Sequence, residues 1–298
     1  MAATSTSPAH PKVPTRRISF EERLAGVPRH FAADGDLVAS HLTAVLSAVF
    51  PDGEDFFVRS VRHFRSDVTD PTLKRDVGGF IGQEAVHGRE HRSLNDHLAT
   101  LGYRTKQIER GVRWGLRLRE RIASPRHNLA TTAALEHFTA TFAEVLLGDT
   151  ILRSELHDPV LVDIFSWHAL EECEHKAVAF DVYQHVFADD PKAERTRVQA
   201  MNQITATFIV GIGLNTLVSL LGDRETYRRG RLRASLRRAR QNPMVSRWVW
   251  RRLRDYNRLD FHPDDHDTGE LCARWRVELF GDGASDDGRL SGLLAGAA

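Results

Sequence analysis

The sequence predicts an all-α protein, and three observations carry that reading. Asp70-Pro71, Ser124-Pro125, Asp158-Pro159, Asp190-Pro191 and Asn242-Pro243 each set a capping residue before a proline. That pairing opens a helix, because the N–H that proline lacks would be unpaired in the first turn anyway. Between these starts the apolar residues recur at helical spacing, and no run of alternating β-branched residues marks a strand.

The elements follow in chain order. The stretch MAATSTSPAHPKVPTRR is polar and Pro-rich without an apolar core, so residues 1–15 read as a disordered tail and not as a secretory leader. Helices are expected at 36–49, 53–66, 71–101, 105–122, 126–155, 159–187, 191–221, 224–241, 243–258 and 268–280. Those at 71–101, 126–155 and 159–187 have the length of bundle helices. The expected organisation is a four-helix bundle with additional helices over 16–190, a helical C-terminal extension packed on it over 191–282, and a flexible tail rich in Gly, Ala and Ser over 283–298.

With 298 residues, 41% hydrophobic and 27% charged, the composition is that of a soluble globular protein able to bury a substantial core. Cys173 and Cys272 form no CxxC, which argues for a reducing, cytoplasmic setting and against a disulfide framework. The net charge of +1 hides an asymmetry: residues 224–258 hold thirteen arginines against Glu225 and Asp255. Just before them, Val198 to Gly222 carries no charge. A buried helix covering the bundle and lining a substrate pocket is the expected role of that segment. Peripheral membrane contact through 198–258 is the alternative. Nucleic acid is a poor fit for the arginines, since no recognition module accompanies them.

The chemistry concentrates in FIGQEAVHGREH and WHALEECEH. Glu84 and His87, three apart, share a helix face, and Glu172 and His175 repeat the spacing on a second helix. Carboxylates buried in a bundle are costly unless paired or metal-bound. Two-metal bundles use a Glu from each of two helices and Glu-x-x-His from each of the other two. Both upstream glutamates are present: Glu54, with Asp52 and Asp55 as alternatives, and Glu136, with Glu144 as competitor. The predicted metal ligands are therefore Glu54, Glu84, His87, Glu136, Glu172 and His175. His91 and His168 continue the two stripes as extra ligands or as hydrogen-bonding support. His137 points elsewhere, Glu90, Glu171 and Glu174 are expected in salt bridges with Arg89, Lys176 or similar partners, and Cys173 reads as core.

FPDGEDFFVRSVR, FIGQEAVHGREH, ALEHFTA and WHALEECEHKAVAFDVY together resemble the bacterial family of predicted metal-dependent hydrolases, itself similar to the ferritin-like di-iron carboxylate proteins. The resemblance covers roughly residues 15–280. It implies the same six ligands and two divalent metal ions, iron first, manganese or a mixed pair second. The expected chemistry is O2 activation for oxidation of a small organic substrate. Two-metal hydrolysis with a bridging hydroxide is the alternative, and iron or peroxide handling without an organic substrate a further one. A homodimer would be in keeping with bundles of this type. HGREH also matches a zinc-peptidase pattern in which His87 and His91 bind zinc and Glu90 activates water, leaving the other carboxylates unexplained.

Overall fold

The computed structural model describes residues 13–282 and 288–294. Eleven α-helices and no sheet occur among them: α1 Leu37–His63, α2 Pro71–Thr100, α3 Thr105–Ile122, α4 Pro125–Gly148, α5 Thr150–Leu156, α6 Pro159–His175, α7 Val178–Val186, α8 Ala193–Leu221, α9 Arg231–Ala239, α10 Arg247–Asp255 and α11 Gly269–Phe280. Asp70, Ser124 and Asp158 cap α2, α4 and α6 through their side chains, each with proline in the first turn, as the dipeptides predict. Helices α1, α2, α4 and α6 pack on one another around a core that includes Phe56, Phe80, Phe138 and Trp167.

Several boundaries differ from expectation: Asp190-Pro191 stands in a turn before α8, and Asn242-Pro243 opens only a 3-10 turn, α10 starting instead after Ser246. The helices expected at 36–49 and 53–66 are one helix, running through Pro51. Proline has no N–H for the carbonyl four residues back; here that carbonyl is Ser47 O, and the side-chain amide of Asn95 on α2 donates to it at 3.0 Å. The helix expected at 126–155 breaks at Asp149, whose carboxylate caps Ile151 and Leu152 to start α5. The helix expected at 159–187 pauses directly after His175. In the Arg-rich region a 3-10 turn, Arg224–Tyr227, precedes α9, which begins after Gly230 at φ +83°, a left-handed conformation suited to glycine.

The chain before α1 lies across α2. A Cβ on Gly79 would fall 2.3 Å from the Val13 carbonyl oxygen, and one on Gly82 2.1 Å from the Thr15 hydroxyl, so glycine is required at both crossings. Residues 13–15 of the expected N-terminal tail are thus packed, and residues 1–12 lie outside the described residues. At the other end, within the expected flexible tail, Leu290 is buried, Arg289 pairs with Asp163 at 2.7 Å, and Leu294 bridges to Ile18. Residues 283–287 and 295–298 lie outside the described residues.

The extension is fastened by a fully buried arginine. Arg197 on α8 bonds Glu194 Oε2, the Tyr256 carbonyl and the Arg258 carbonyl, with its guanidinium 4.9 Å from the centre of the Tyr256 ring. Arg197→Met is expected to cost about 3 kcal/mol, because the two carbonyls lose their donor in a dry setting. A lowered urea midpoint checks this; an unchanged midpoint would show that α10 docks without it.

Candidate metal centre

Glu54 comes from α1, Glu84 and His87 from α2, Glu136 from α4, and Glu172 and His175 from α6. All six side chains are buried, none more than 2% exposed. Gly88 lets α1 and α2 approach closely: a Cβ there would stand 3.3 Å from Glu54 Oε2. Ligating atoms of Glu54, Glu84 and His87 lie within 4.8 Å of one another, as do those of Glu84, Glu172 and His175 and those of His87, His168 and Glu172. Glu136 Oε2 is 3.3 Å from His175 Nε2. Glu54 also meets His91 and His168 in a fourth such group, so Glu54, Glu84 and Glu172 each belong to two groups and link them.

Hydrogen-bond accounting gives this cluster its character. Both carboxylate oxygens of Glu54, Glu84 and Glu136, with Glu172 Oε2, His87 Nδ1 and His175 Nε2, are buried without a hydrogen bond. His175 Nε2 is 3.0 Å from Glu84 Oε1, but not in hydrogen-bonding alignment. Orphaned polar atoms are rare inside proteins. Here they converge on one point, which is what a cation-binding cavity requires.

The imidazole tautomers follow from the groups behind them. Gln83 spends its amide hydrogens on the Pro14 carbonyl and Glu174, so its oxygen accepts from His175 Nδ1 at 2.8 Å. His175 Nε2 then turns a lone pair toward Glu84, Glu136 and Glu172. His87 Nε2 donates to Glu171 Oε2 at 3.0 Å, leaving the Nδ1 lone pair facing inward. Asn95 spends both amide hydrogens on the Ser47 carbonyl and Glu109, so Ser47 Oγ donates to Asn95 Oδ1 and accepts from His91 Nδ1. His91 Nε2 therefore accepts from His168 Nδ1, and His168 Nε2 sits 2.8 Å from Glu172 Oε1 and 3.8 Å from Glu54 Oε1. His91 has both nitrogens engaged and acts by orienting His168. Of the two extra histidines, only His168 has a nitrogen aimed at the carboxylates.

Lone pairs facing carboxylates repel unless a proton or a metal ion lies between them. Burial, then the charges of Glu84 and Glu172, raises Glu54 well above the usual carboxylate range. Burial, then Glu172 and Glu84, does the same to Glu136. Burial also lowers His87, assisted by the charge of His168, so this imidazole is neutral at pH 7 and ready to ligate. For His175, burial is outweighed by the close carboxylates of Glu136, Glu172 and Glu84, and its basicity rises. Proton and metal compete for the same lone pairs.

The competing candidates are occupied elsewhere. Asp52 pairs with Arg113, Asp55 with Arg92, and Glu144 with Arg252. Glu90 accepts from the Phe20 backbone N–H and from Arg89, which anchors the N-terminal segment and removes it from the zinc-peptidase role. His137 is buried against the Arg252 carbonyl. Glu171 and Glu174 pair with Arg16 instead of Lys176, which bonds the His266 carbonyl and Thr268. Cys173 is buried as expected and lies against Cys272. Arg16, Gln83, Ser47 and Asn95 had no sequence signal beyond Gln83 standing next to Glu84; their partners are distant in the chain. A further group, His30, His41 and Asp223, joins α1 to the end of α8; Arg29 lies 3.3 Å from the same Asp223 oxygen and already neutralises it.

A cavity of about 220 Å³ reaches the centre, with Glu54 and Glu172 in its wall. Its other walls are almost entirely apolar, including Phe57 of α1, Leu116 of α3, Leu135 of α4 and Phe208 of α8, with Thr139 and Asn215 among the few neutral polar groups. Helix α8 lines it as expected. It is not a buried helix, however: its outer face is open, with Val210, Leu214 and Leu217 each more than half exposed.

No curated protein and no solved structure matches this chain. A protein-family model described as "Predicted metal-dependent hydrolase" matches residues 14–267, most of its length, and the chain belongs to that family.

Proposed function

We propose that the protein is a two-metal hydrolase acting on a small, largely apolar substrate, with Glu54, Glu84, His87, Glu136, Glu172 and His175 as ligands and His168 as a seventh donor. The observation that carries this is the convergence of unpaired carboxylate oxygens and imidazole lone pairs, each imidazole oriented from behind by Gln83, Glu171 or His91. Carboxylates with imidazole suit iron or manganese. Bound there, two such ions would supply Lewis acidity and lower the pKa of water. The chain's own contribution is to exclude bulk water with the apolar walls and to orient a polar substrate group through Thr139 and Asn215. The family description favours hydrolysis over oxidation.

The test is to load the protein with iron, manganese or zinc and measure hydrolysis of aryl esters of short and long acyl chains, with and without O2. Metal-dependent hydrolysis indifferent to O2 is the expected result. Gly53 gives the companion variant. It lines the cavity, and a Cβ there meets nothing within 4 Å. Gly53→Leu is expected to fill the cavity and abolish turnover, keep the metal, and stabilise the fold by up to about 1 kcal/mol, since it removes a glycine from a helix interior.

Oxidation is the second reading. Four carboxylates to two imidazoles, walled by apolar side chains, also suit O2 chemistry on a hydrocarbon-like substrate. O2 uptake coupled to substrate loss, with no hydrolysis, would establish it.

A further inference from the structure

The outer face of α8 and the arginines that follow it are unused by the centre. Ala206, Val210, Leu214, Leu217 and Leu221 recur on one stripe of the helix and are exposed, flanked by Ile209 and Val218. The opposite face packs on α1 and α4, so α8 lies along the protein surface rather than projecting from it. Long enough and apolar enough to cross a membrane by composition, it is held flat by its own packing. Helix α3 flanks it: Val112 of α3 and Ile212 of α8 pack against the same α1 cluster of Val45 and Ala48. Trp114 and Ile122 on α3 are 70% and 77% exposed. The apolar cavity has α3 and α8 among its walls; the outer side of α8 is apolar, and that of α3 mixes Trp114, Leu118 and Ile122 with exposed Arg110, Arg117 and Arg121.

Charge stands beside this face. Arg224, Arg229, Arg233, Arg237 and Arg240 are exposed and form no ion pair among the described residues, while the neighbouring Glu225 is already paired with Arg228 and Arg231. Tyr227 stands among them, 69% exposed. We propose that this face seats the protein on an anionic lipid bilayer, with α8 and the tip of α3 in the acyl boundary, the arginines among the headgroups, and the cavity taking an acyl-chain substrate directly from the membrane. A second copy of the chain fits less well, because a face-to-face pair about a two-fold axis would bring two sets of unpaired arginines together without acidic partners. An anionic surface neutralises them, each basic residue near it contributing about a fivefold gain in binding. The entry route rests on the cavity being the substrate pocket; the docking does not.

The experiment is vesicle flotation of the metal-loaded protein with phosphatidylcholine alone and with added phosphatidylserine, in low and high salt. Wild type is compared with Leu214→Glu/Leu217→Glu and with Arg233→Glu/Arg237→Glu. Binding to the anionic vesicles, reduced about tenfold or more by either double variant and by salt, is the expected result. All four positions are exposed, so folding is retained; metal content and the circular dichroism melt verify this in each variant. No flotation of the metal-loaded wild type would overturn the proposal and leave the two-metal reading standing. A dimer in light scattering that the leucine variant dissociates would assign the face to a second copy instead. Retention on RNA or DNA without flotation, unaffected by the leucine variant, would assign the arginines to nucleic acid. Flotation of a protein that holds no metal would support the docking while removing the two-metal reading.

Discussion

Glu84→Ala/Glu172→Ala is expected to leave a folded protein that holds no metal. These two carboxylates together enter every ligand group of the centre except that of Glu54, His91 and His168, in which both His91 nitrogens are already engaged. Loss of a supporting residue around a metal lowers affinity about 10–100-fold, and loss of a ligand costs more. Fold and metal respond in opposite senses. In wild type, a metal present at about a thousandfold above its Kd adds about 4 kcal/mol to stability, and chelation removes it. In the variant, chelation changes nothing, and the metal-free variant melts no lower than metal-free wild type, because two of four crowded carboxylates are gone. Elemental mass spectrometry and melts with and without chelator measure both. Equal melts for wild type with and without chelator, with no metal in either protein, would reduce the cluster to a buried polar network.

The same cluster sets a pH dependence with a definite sign. Burial and mutual repulsion raise Glu54, Glu84 and Glu136, so these carboxylates take up protons at a pH above the usual carboxylate range. Metal must displace those protons; affinity is therefore full at higher pH and lost as pH falls through the raised values. Binding should release protons, readable as a buffer-dependent heat in calorimetry. An affinity that stays constant until the pH is below the ordinary carboxylate range would contradict the raised values.

The cluster of candidate ligands was legible because its members obey a local rule. Glu-x-x-His is a three-residue spacing on one helix, and Glu54 and Glu136 were found by asking what else a two-metal bundle needs. The supporting groups obey no local rule. Gln83 acts on His175, 92 residues away, and Arg16 on Glu171, 155 away. The α1 boundary was misread for the same reason. Pro51 does remove a hydrogen bond, as its chemistry demands, but the replacement donor is Asn95 on another helix. The same amide, by fixing Ser47, sets the tautomer of His91 and through it that of His168. The proline and the centre are thus joined by a side chain that helical periodicity places on the core face of α2 without saying what it does there. The outer face of α8 was misjudged from composition: a run without charge reads as buried, whereas packing covers only one side of it.

Arg16→Ala is the second large expected effect, and it acts from outside the centre. The Arg16 guanidinium donates to Glu171 Oε1 at 2.9 Å and to both oxygens of Glu174 at 2.7 and 2.8 Å. Glu171 is fully buried, and among the described residues its other partner at this distance is the neutral His87 imidazole. Burial pushes Glu171 up to about 8 even beside Arg16, so removing Arg16 leaves a carboxyl group that is largely protonated at neutral pH and has lost a partner in a dry setting, which costs about 1–3 kcal/mol. Glu174 keeps Arg276 at 2.8 Å, so the lower end of that range applies. Glu171 also accepts the hydrogen bond that orients His87. Without its guanidinium partner the Glu171 carboxylate tends toward the protonated form, and its hold on His87 Nε2–H weakens. Metal affinity is then expected to fall about 10–100-fold. A purely structural role would lower the melt alone, so the deciding readout is a chelator competition on protein still folded at the assay temperature. Adding Glu171→Gln to Arg16→Ala separates the two effects. The amide cannot ionise in the dry setting and restores part of the stability, while its oxygen still accepts from His87 and recovers part of the affinity. If Arg16→Ala lowers stability and leaves metal affinity unchanged, the Arg16–Glu171–His87 connection does not tune the centre, and the N-terminal segment serves only to cover it.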